Sequence, residues 1–136
     1  MNNYDVIAYI GQFCDWNTFI RLRSTCRKVR ERLPITEVPK KFKLNDASVS
    51  KLIFLTTLDA SYNPSITDAS VSKLIFLTTL DASNNPSITD ASVSKLSVLT
   101  TLHASGNLSI TDASISKLAS LITLTAYNNP NITIKR

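Results

Sequence analysis

Residues 44–131 read LNDASVSKLIFLTTLDASYNPS, ITDASVSKLIFLTTLDASNNPS, ITDASVSKLSVLTTLHASGNLS and ITDASISKLASLITLTAYNNPN. They form four consecutive units of 22 residues with no insertion or deletion. Self-similarity at a fixed period of this length predicts a solenoid, in which each unit stacks on its neighbours. The block 47–61 recurs unchanged as 69–83, which indicates recent duplication. Identity between these units is therefore weak evidence that every position is required.

Each unit carries the pattern L-x-x-L-x-[LA]-x-x-N-x-x-[IL] in one register. In the first unit the pattern falls on Leu55, Leu58, Ala60, Asn63 and Ile66. This pattern resembles the leucine-rich repeat, and the resemblance covers about two-thirds of the chain. It implies an α/β solenoid of four repeats, with a parallel sheet on the concave face, short helices on the convex face and a helical cap at the N-terminus.

The residues of one unit predict a strand followed by a turn. Leu58 and Ala60 alternate with polar neighbours, which is the period of a half-buried strand. Asn63 comes just after it, either as a solvated turn residue or as a member of a buried ladder. The ladder is favoured because the resemblance implies it. An asparagine amide has donors and an acceptor that satisfy buried backbone groups of a turn.

The segment TDASVSKL returns the chain to the next strand. Thr67 or Asp68 is the expected N-cap of a helix. Val71 and Leu74 then share one face at a spacing of three residues. A helix of one or two turns is expected, and it depends on packing because it is too short to be stable alone.

The net charge of +5 is concentrated before the repeats. Residues 1–43 hold nine Lys or Arg against four Asp or Glu, whereas residues 44–136 hold six of each. A basic helix is compatible with nucleic acid or an acidic membrane. A solvated or protein-docking face is the commoner meaning of such a pattern.

The N-terminal segment predicts two amphipathic helices. Residues 5–13 place apolar side chains on one face, and a second helix runs from about residue 17 to Pro34, which ends it. The second helix resembles an F-box, although the usual Leu-Pro opening is absent and Val29 stands where that motif often has tryptophan. The resemblance implies binding to a ubiquitin-ligase adaptor through Val6, Ile10, Phe19, Leu22, Cys26 and Val29. The alternative is a pair of helices that only caps the first repeat, since solenoids need caps.

These observations predict a division of the chain into four segments. They are an F-box-like module at 1–33, a degenerate repeat with a strand at 34–43, the repeats at 44–131 and a tail at 132–136. The first residues carry Asp5 and no basic residue before a short apolar run, so they do not resemble a signal peptide. Cys14 and Cys26 have no metal-ligand spacing and are expected to be free thiols in the cytoplasm.

The outward strand positions are the expected binding surface. One row across the predicted sheet consists of Glu37, Asp59, Asp81, His103 and Thr125, and Tyr62 and Tyr127 stand beside it. Neighbouring acids on adjacent strands repel each other. Either duplication copied this repulsion, or a cationic partner uses it.

Catalytic chemistry has little support in the sequence. His103 is the single histidine, and only Gly11 and Gly106 are available for any phosphate loop. No motif orients a serine or cysteine nucleophile. We expect a contact or structural role for His103, with no catalytic residue, cofactor or metal.

The predicted function is therefore protein–protein interaction rather than catalysis. F-box-like helices followed by leucine-rich repeats resemble substrate receptors of Skp–cullin–F-box ubiquitin ligases, and a chain this short resembles such proteins encoded by large DNA viruses of protists. Host cytoplasm is the location that this resemblance implies. The alternatives are a repeat scaffold with a helical cap and a nucleic-acid-binding adaptor. A monomer or a weak homodimer through the C-terminal sheet edge is expected.

Overall fold

The computed structural model describes residues 44–135, in which short helices and short strands alternate. The helices are α1 (Asp46–Val49), α2 (Asp68–Val71), α3 (Asp90–Val93) and α4 (Asp112–Ile115). The strands are β1 (Thr57–Asp59), β2 (Thr79–Asp81), β3 (Thr101–His103) and β4 (Thr123–Thr125). Each repeat therefore contributes one helix and one strand, as its sequence predicts.

The strands form one parallel sheet in chain order, β1-β2-β3-β4. Thr57 pairs with Thr79, Thr79 with Thr101, and Thr101 with Thr123. Paired residues are 22 positions apart in the sequence, which is the length of one repeat. Equivalent positions of successive repeats therefore form a row across the sheet. This register places the leucine of each strand in one inward row.

The core consists of such rows, stacked from repeat to repeat. Leu58, Leu80 and Leu102 are at most 2 % exposed. Buried rows also form at the positions of Val71, Leu74, Leu77, Ala82 and Ile88, all fully buried. The parallel sheet, the short helices and the 22-residue stacking confirm the predicted leucine-rich-repeat solenoid.

The helices begin at threonine in three of the four repeats. Thr67 has extended backbone, and its hydroxyl accepts a hydrogen bond from the backbone N–H of Ala69. Thr67, rather than Asp68, is thus the N-cap, while Asp68 occupies the first turn, where a negative charge is favourable. Asn45 caps α1 with a reciprocal bond to Ser48. Each helix has four residues, so burial of residues such as Val71 must hold it in place.

The turn after each strand requires left-handed backbone. Tyr62, Asn84 and Asn128 have φ between 53° and 56°, and Gly106 has a φ of 66°. Asparagine and glycine adopt this conformation readily, whereas tyrosine does so at a cost. At Gly106 a Cβ would also lie 2.4 Å from Oδ1 of Asn84. Glycine therefore suits this turn for two independent reasons.

Several predicted elements lie outside the described residues. They are the two N-terminal helices, the degenerate strand at 35–38 and the segment boundaries at 33 and 43. Within the part of the chain that the structure describes, no helix combines the length and the apolar character needed to cross a membrane.

Candidate protein-binding surface

The predicted row of polar residues is assembled on the outward face of the sheet. Asp59 pairs with Asp81, Asp81 with His103, and His103 with Thr125. Since successive strand residues point to opposite faces, the inward leucines place this row outward. We call the outward rows of Thr57–Asp59 and its three equivalents the sheet face. Asp59 is exposed, and Asp81, His103 and Thr125 are half-buried.

Both aspartates of the sheet face bond to the turn that follows them. Oδ1 of Asp59 accepts from the backbone N–H of Ser61 at 3.1 Å and from its hydroxyl at 2.6 Å. Oδ1 of Asp81 accepts from the backbone N–H of Ser83 at 2.9 Å. These bonds fix each carboxylate beside its strand. The side chains are therefore held in place before any partner binds.

The expected tyrosines are prominent on this side of the chain. Tyr62 and Tyr127 are each 76 % exposed. Tyr62 belongs to the left-handed turn after β1, and Tyr127 follows β4. Exposed tyrosine combines a large apolar ring with a polar tip, which suits it to protein interfaces. Glu37, the remaining member of the predicted row, lies outside the described residues.

The side chains of the sheet face are suited to the recognition of a ligand. Its neighbouring carboxylates at strand spacing favour a cationic ligand. No group of three or more His, Cys, Asp or Glu side chains within residues 44–135 is arranged to hold a metal ion. The predicted adaptor-binding residues Val6, Ile10, Phe19, Leu22, Cys26 and Val29 lie outside the described residues.

The turns that follow the strands contain an asparagine ladder, formed by Asn63, Asn85, Asn107 and Asn129. Nδ2 of Asn85 donates to the backbone oxygens of Asn63 at 2.7 Å, Ala60 at 3.0 Å and Ile66 at 3.2 Å. Its Oδ1 accepts from the backbone N–H of Ser87 at 3.1 Å. Asn85 and Asn107 are fully buried and Asn129 is 4 % exposed. The predicted buried ladder is present at Asn85, Asn107 and Asn129, each of which joins its repeat to the preceding one, whereas Asn63 is half-buried and donates to the backbone oxygen of Leu44 at 2.9 Å.

A second ladder, which the sequence pattern alone did not reveal, runs along the helix starts. In this aspartate ladder, Oδ1 of Asp68 accepts from the backbone N–H of Thr89 at 2.9 Å, and Oδ2 accepts from the hydroxyl of Thr89 at 2.7 Å. The same pair of bonds joins Asp46 to Thr67, Asp90 to Thr111 and Asp112 to Thr133. The recurring Thr-Asp dipeptide was the available signal.

Three carboxyl groups of the aspartate ladder, those of Asp46, Asp90 and Asp112, have a lowered pKa. Burial acts to raise the pKa of Asp90, but hydrogen bonds from Ser114 and Thr111 outweigh it, so the pKa lies below its ordinary value. At Asp46, burial likewise acts to raise the pKa, but hydrogen bonds from Ser70 and Thr67 outweigh it and the pKa is lowered. At Asp112 the bond from Thr133 is the main cause of the lowered pKa. Hydrogen bonds to the charged form thus tie these side chains to the neighbouring repeat.

An exposed apolar row was also missed by the sequence analysis. It consists of Ile53, Phe54, Ile75, Phe76 and Val98, all at least 37 % exposed. We call these five residues the apolar ridge. They lie in the turns that connect each helix to its strand. Buried leucines stand on both sides of each exposed pair, so the run K-L-I-F-L did not reveal which residues face outward.

Among the known proteins compared, similarity to this chain was found in solved structures. No family model matches the sequence, and no curated protein matches it. One solved structure, a functional domain of InlJ from Listeria monocytogenes that includes a cysteine ladder, is 28% identical with a TM-score of 0.42. The match covers 75% of this chain and 25% of that one, so the chain spans about a quarter of its length. The leucine-rich-repeat fold is defined here by this chain's own register, core rows and ladders.

Proposed function

We propose that this chain is a non-enzymatic protein-binding scaffold that recognises a basic surface of its partner through the sheet face. The observation that carries the proposal is the row from Asp59 to Thr125, which lies outward in register on a solenoid stabilised by two ladders. Its acidic end provides electrostatic complementarity, and complementarity of this kind governs specificity and association rate. The exposed rings of Tyr62 and Tyr127 supply apolar contact area beside it.

Affinity capture from eukaryotic lysate followed by mass spectrometry tests this function. The parent chain is compared with the double variant Asp59→Asn and Asp81→Asn, which keeps an oxygen acceptor at each turn. Lys117→Gln is the matched control, because it changes one exposed charge on the helix side. We expect specific partners to be retained by the control and depleted with the double variant. Equal recovery with all three chains would contradict recognition by the sheet face.

The finer proposal is that the partner is a substrate and that residues 1–33 dock a ubiquitin-ligase adaptor. The spacing of Phe19, Leu22, Cys26 and Val29 in the F-box-like segment supports it. Calorimetry of the purified chain with a eukaryotic adaptor of these ligases measures this binding directly, with Phe19→Ala and Leu22→Ala as the variant. If neither heat nor co-elution is observed at tens of micromolar, adaptor binding is refuted. The alternative, that the predicted N-terminal helices only cap the first repeat, would then be favoured.

The same capture experiment separates the remaining alternative. Recovery of adaptor and cullin peptides would support the role of ligase receptor. The proposed relation to viral proteins of this type implies that this role is carried out in host cytoplasm. Recovery of ribonucleoprotein that is lost after nuclease treatment would instead support a nucleic-acid adaptor acting through basic residues such as Arg23 and Lys28.

A further inference from the structure

The apolar ridge is a feature of the described surface that the proposed function does not use. Exposure reaches 57 % at Ile75 and 48 % at Phe76, and it is 42 % at Ile53, 37 % at Phe54 and 40 % at Val98. A contiguous exposed apolar patch on a folded protein commonly marks an interaction site. The residues of the ridge precede the strands and are not members of the sheet face.

The exposed side chains of the ridge are not displaced core residues. Leu52 and Leu55, on either side of Ile53 and Phe54, are fully buried, and so are Leu74 and Leu77 in the next repeat. The rings of Phe54 and Phe76 stack with centroids 5.9 Å apart and an interplanar angle of 23°. Stacking stabilises the pair, yet more than a third of each side chain still faces solvent.

A row of positive charge runs beside the ridge. Lys51, Lys73 and Lys95 are exposed; Lys51 and Lys73 lie two residues before Ile53 and Ile75, and Lys95 lies three residues before Val98. None of the acidic residues of the repeats belongs to the ridge: four form the aspartate ladder, and the other two, Asp59 and Asp81, lie on the sheet face. Lys73 is also near enough to Asp46 to help lower the pKa of that carboxyl. The ridge is therefore flanked by cations.

The spacing along the ridge fits a helix. The rings of Phe54 and Phe76, in adjacent repeats, have centroids 5.9 Å apart, and one turn of an α-helix rises about 5.4 Å. An extended strand presents every second side chain at about 6.7 Å, which is the poorer match. A helix lying across the repeats would place apolar residues at i, i+3 or i+4, and i+7 over Phe54, Phe76 and Val98. Acidic residues at the same intervals would face the lysines.

We propose that the apolar ridge, together with Lys51, Lys73 and Lys95, docks an acidic amphipathic helix of a partner protein. Charge complementarity favours an acidic occupant, since a basic helix would place like charges beside Lys51, Lys73 and Lys95 and a neutral helix would gain nothing from them. The ridge also has a limited length: the fourth repeat has Ala119 and Ser120 at the corresponding positions. A footprint of three repeats corresponds to about two to three helical turns. This recognition is of the helix-on-surface type.

Fluorescence anisotropy with labelled synthetic peptides of about 20 residues tests the proposal, since shorter helices are marginal in water. The probe peptide carries leucine at i, i+4 and i+7 with glutamate along one flank. Its control has lysine in place of every glutamate. The full chain is compared with the double variants Phe54→Ser with Phe76→Ser and Lys73→Glu with Lys95→Glu. Ser120 occupies this repeat position naturally, so serine is compatible with the fold.

We expect the glutamate peptide to bind with an affinity that falls as salt increases. The phenylalanine variants should weaken binding at least about tenfold, which corresponds to about 1.4 kcal/mol. The lysine reversal should weaken it similarly and should restore binding to the lysine peptide. Lys117→Gln, beyond the end of the ridge, should retain the parent affinity, and circular dichroism melts establish that every variant is folded.

Each other outcome overturns the proposal. Equal binding of both peptides would exclude charge recognition, and folded phenylalanine variants with the parent affinity would exclude the ridge. No binding of either peptide at several hundred micromolar would also refute it. Flotation with vesicles containing anionic lipid, if lost in the phenylalanine variants while peptide binding is absent, would assign the ridge to a membrane surface. The capture experiment tests the sheet face alone, so its result can contradict the proposed function without affecting the proposal for the apolar ridge.

Discussion

The threonine hydroxyl at the start of α2, α3 and α4 makes two hydrogen bonds that serve different parts of the fold. At Thr89 it accepts from the backbone N–H of Ala91, which caps α3, and donates to Oδ2 of Asp68 in the preceding repeat. One donor and an acceptor lone pair of the same oxygen are used. Local helix capping and attachment between repeats therefore depend on a single atom, so a substitution there should affect both.

The lowered pKa of Asp90 gives the aspartate ladder a defined dependence on pH. A carboxyl whose folded-state pKa lies below its unfolded value stabilises the fold above that unfolded value, about 3.9 for aspartate, and loses this effect as pH falls towards the folded pKa. We expect the melting temperature to decline below about pH 4 for this reason. Asp90→Asn should lower the neutral melting temperature and reduce the acid dependence. Melts from pH 3 to 7 measure both, and an unchanged acid slope in the variant would contradict the assignment.

Substitution in the asparagine ladder should reduce the free energy of unfolding more than substitution in the sheet face. Asn85→Ala removes the partners of buried backbone oxygens and should reduce the free energy of unfolding by about 1–3 kcal/mol. Asp81→Asn keeps an oxygen that can accept from Ser83 and removes repulsion from Asp59, so it should be neutral or stabilising. Urea unfolding of both variants checks this. A greater loss at Asp81 than at Asn85 would reverse the assignment of buried and outward faces.

At the scale of the elements, neither a helix of four residues nor a strand of three is stable alone. Each is held by apolar rows that continue through the neighbouring repeats. In the turn before a strand, mutation of a buried residue should therefore reduce the free energy of unfolding more than mutation of an exposed residue.

Leu77 and Phe76 are adjacent residues that test this difference. Leu77 is fully buried, so Leu77→Ala should reduce the free energy of unfolding by about 2–5 kcal/mol through the cavity it leaves. Phe76→Ser removes an exposed side chain and one stacked pair, and such a pair contributes about 0.5–1.5 kcal/mol. Chemical unfolding of the two variants measures the contrast. Equal losses would show that the ridge belongs to the core.

The sequence predicted most of the elements and only part of the surface. The position of Leu58 follows from strand periodicity within one unit, whereas the burial of Asn85 was expected from the resemblance to the leucine-rich repeat. The choice between Thr67 and Asp68 as N-cap was not decided, since both side chains can cap a helix and only inter-repeat geometry separates them. Exposure of Phe76 was missed because four consecutive apolar residues carry no alternation that indicates a face.

For the whole molecule, the last described strand differs from the others in its cover. Ala104 and Ile110 are fully buried, but their equivalents Ala126 and Ile132 are half-exposed. A cleft of about 360 Å³, lined in part by Tyr127 and Lys135, opens beside β4. Leu121, two residues before β4, is 4 % exposed and so belongs to the core. Burial in the last described repeat therefore decreases from Leu121 to Ala126 and Ile132.

The oligomeric state of the 136-residue polypeptide tests the importance of the sheet edge at β4. An outer strand with unpaired backbone groups favours pairing with a second copy about a two-fold axis. We expect light scattering across a concentration series to show a weak dimer that charged substitutions at Thr125 and Tyr127 disrupt. A monomeric mass at the highest concentration would refute the prediction, and a dimer indifferent to those substitutions would place the contact elsewhere.

The side-chain bonds between repeats have a further consequence. The asparagine bonds to backbone oxygens join positions 19, 22 or 25 residues apart, and those of the aspartate ladder join positions 21 residues apart. Each repeat is thus coupled to its immediate neighbours, as in a one-dimensional lattice with nearest-neighbour interactions. Unequal recombination between the identical blocks 47–61 and 69–83 would insert or remove a complete lattice unit. Copy number could then change by mutation in one step, lengthening or shortening the surface without altering any bond type that holds it.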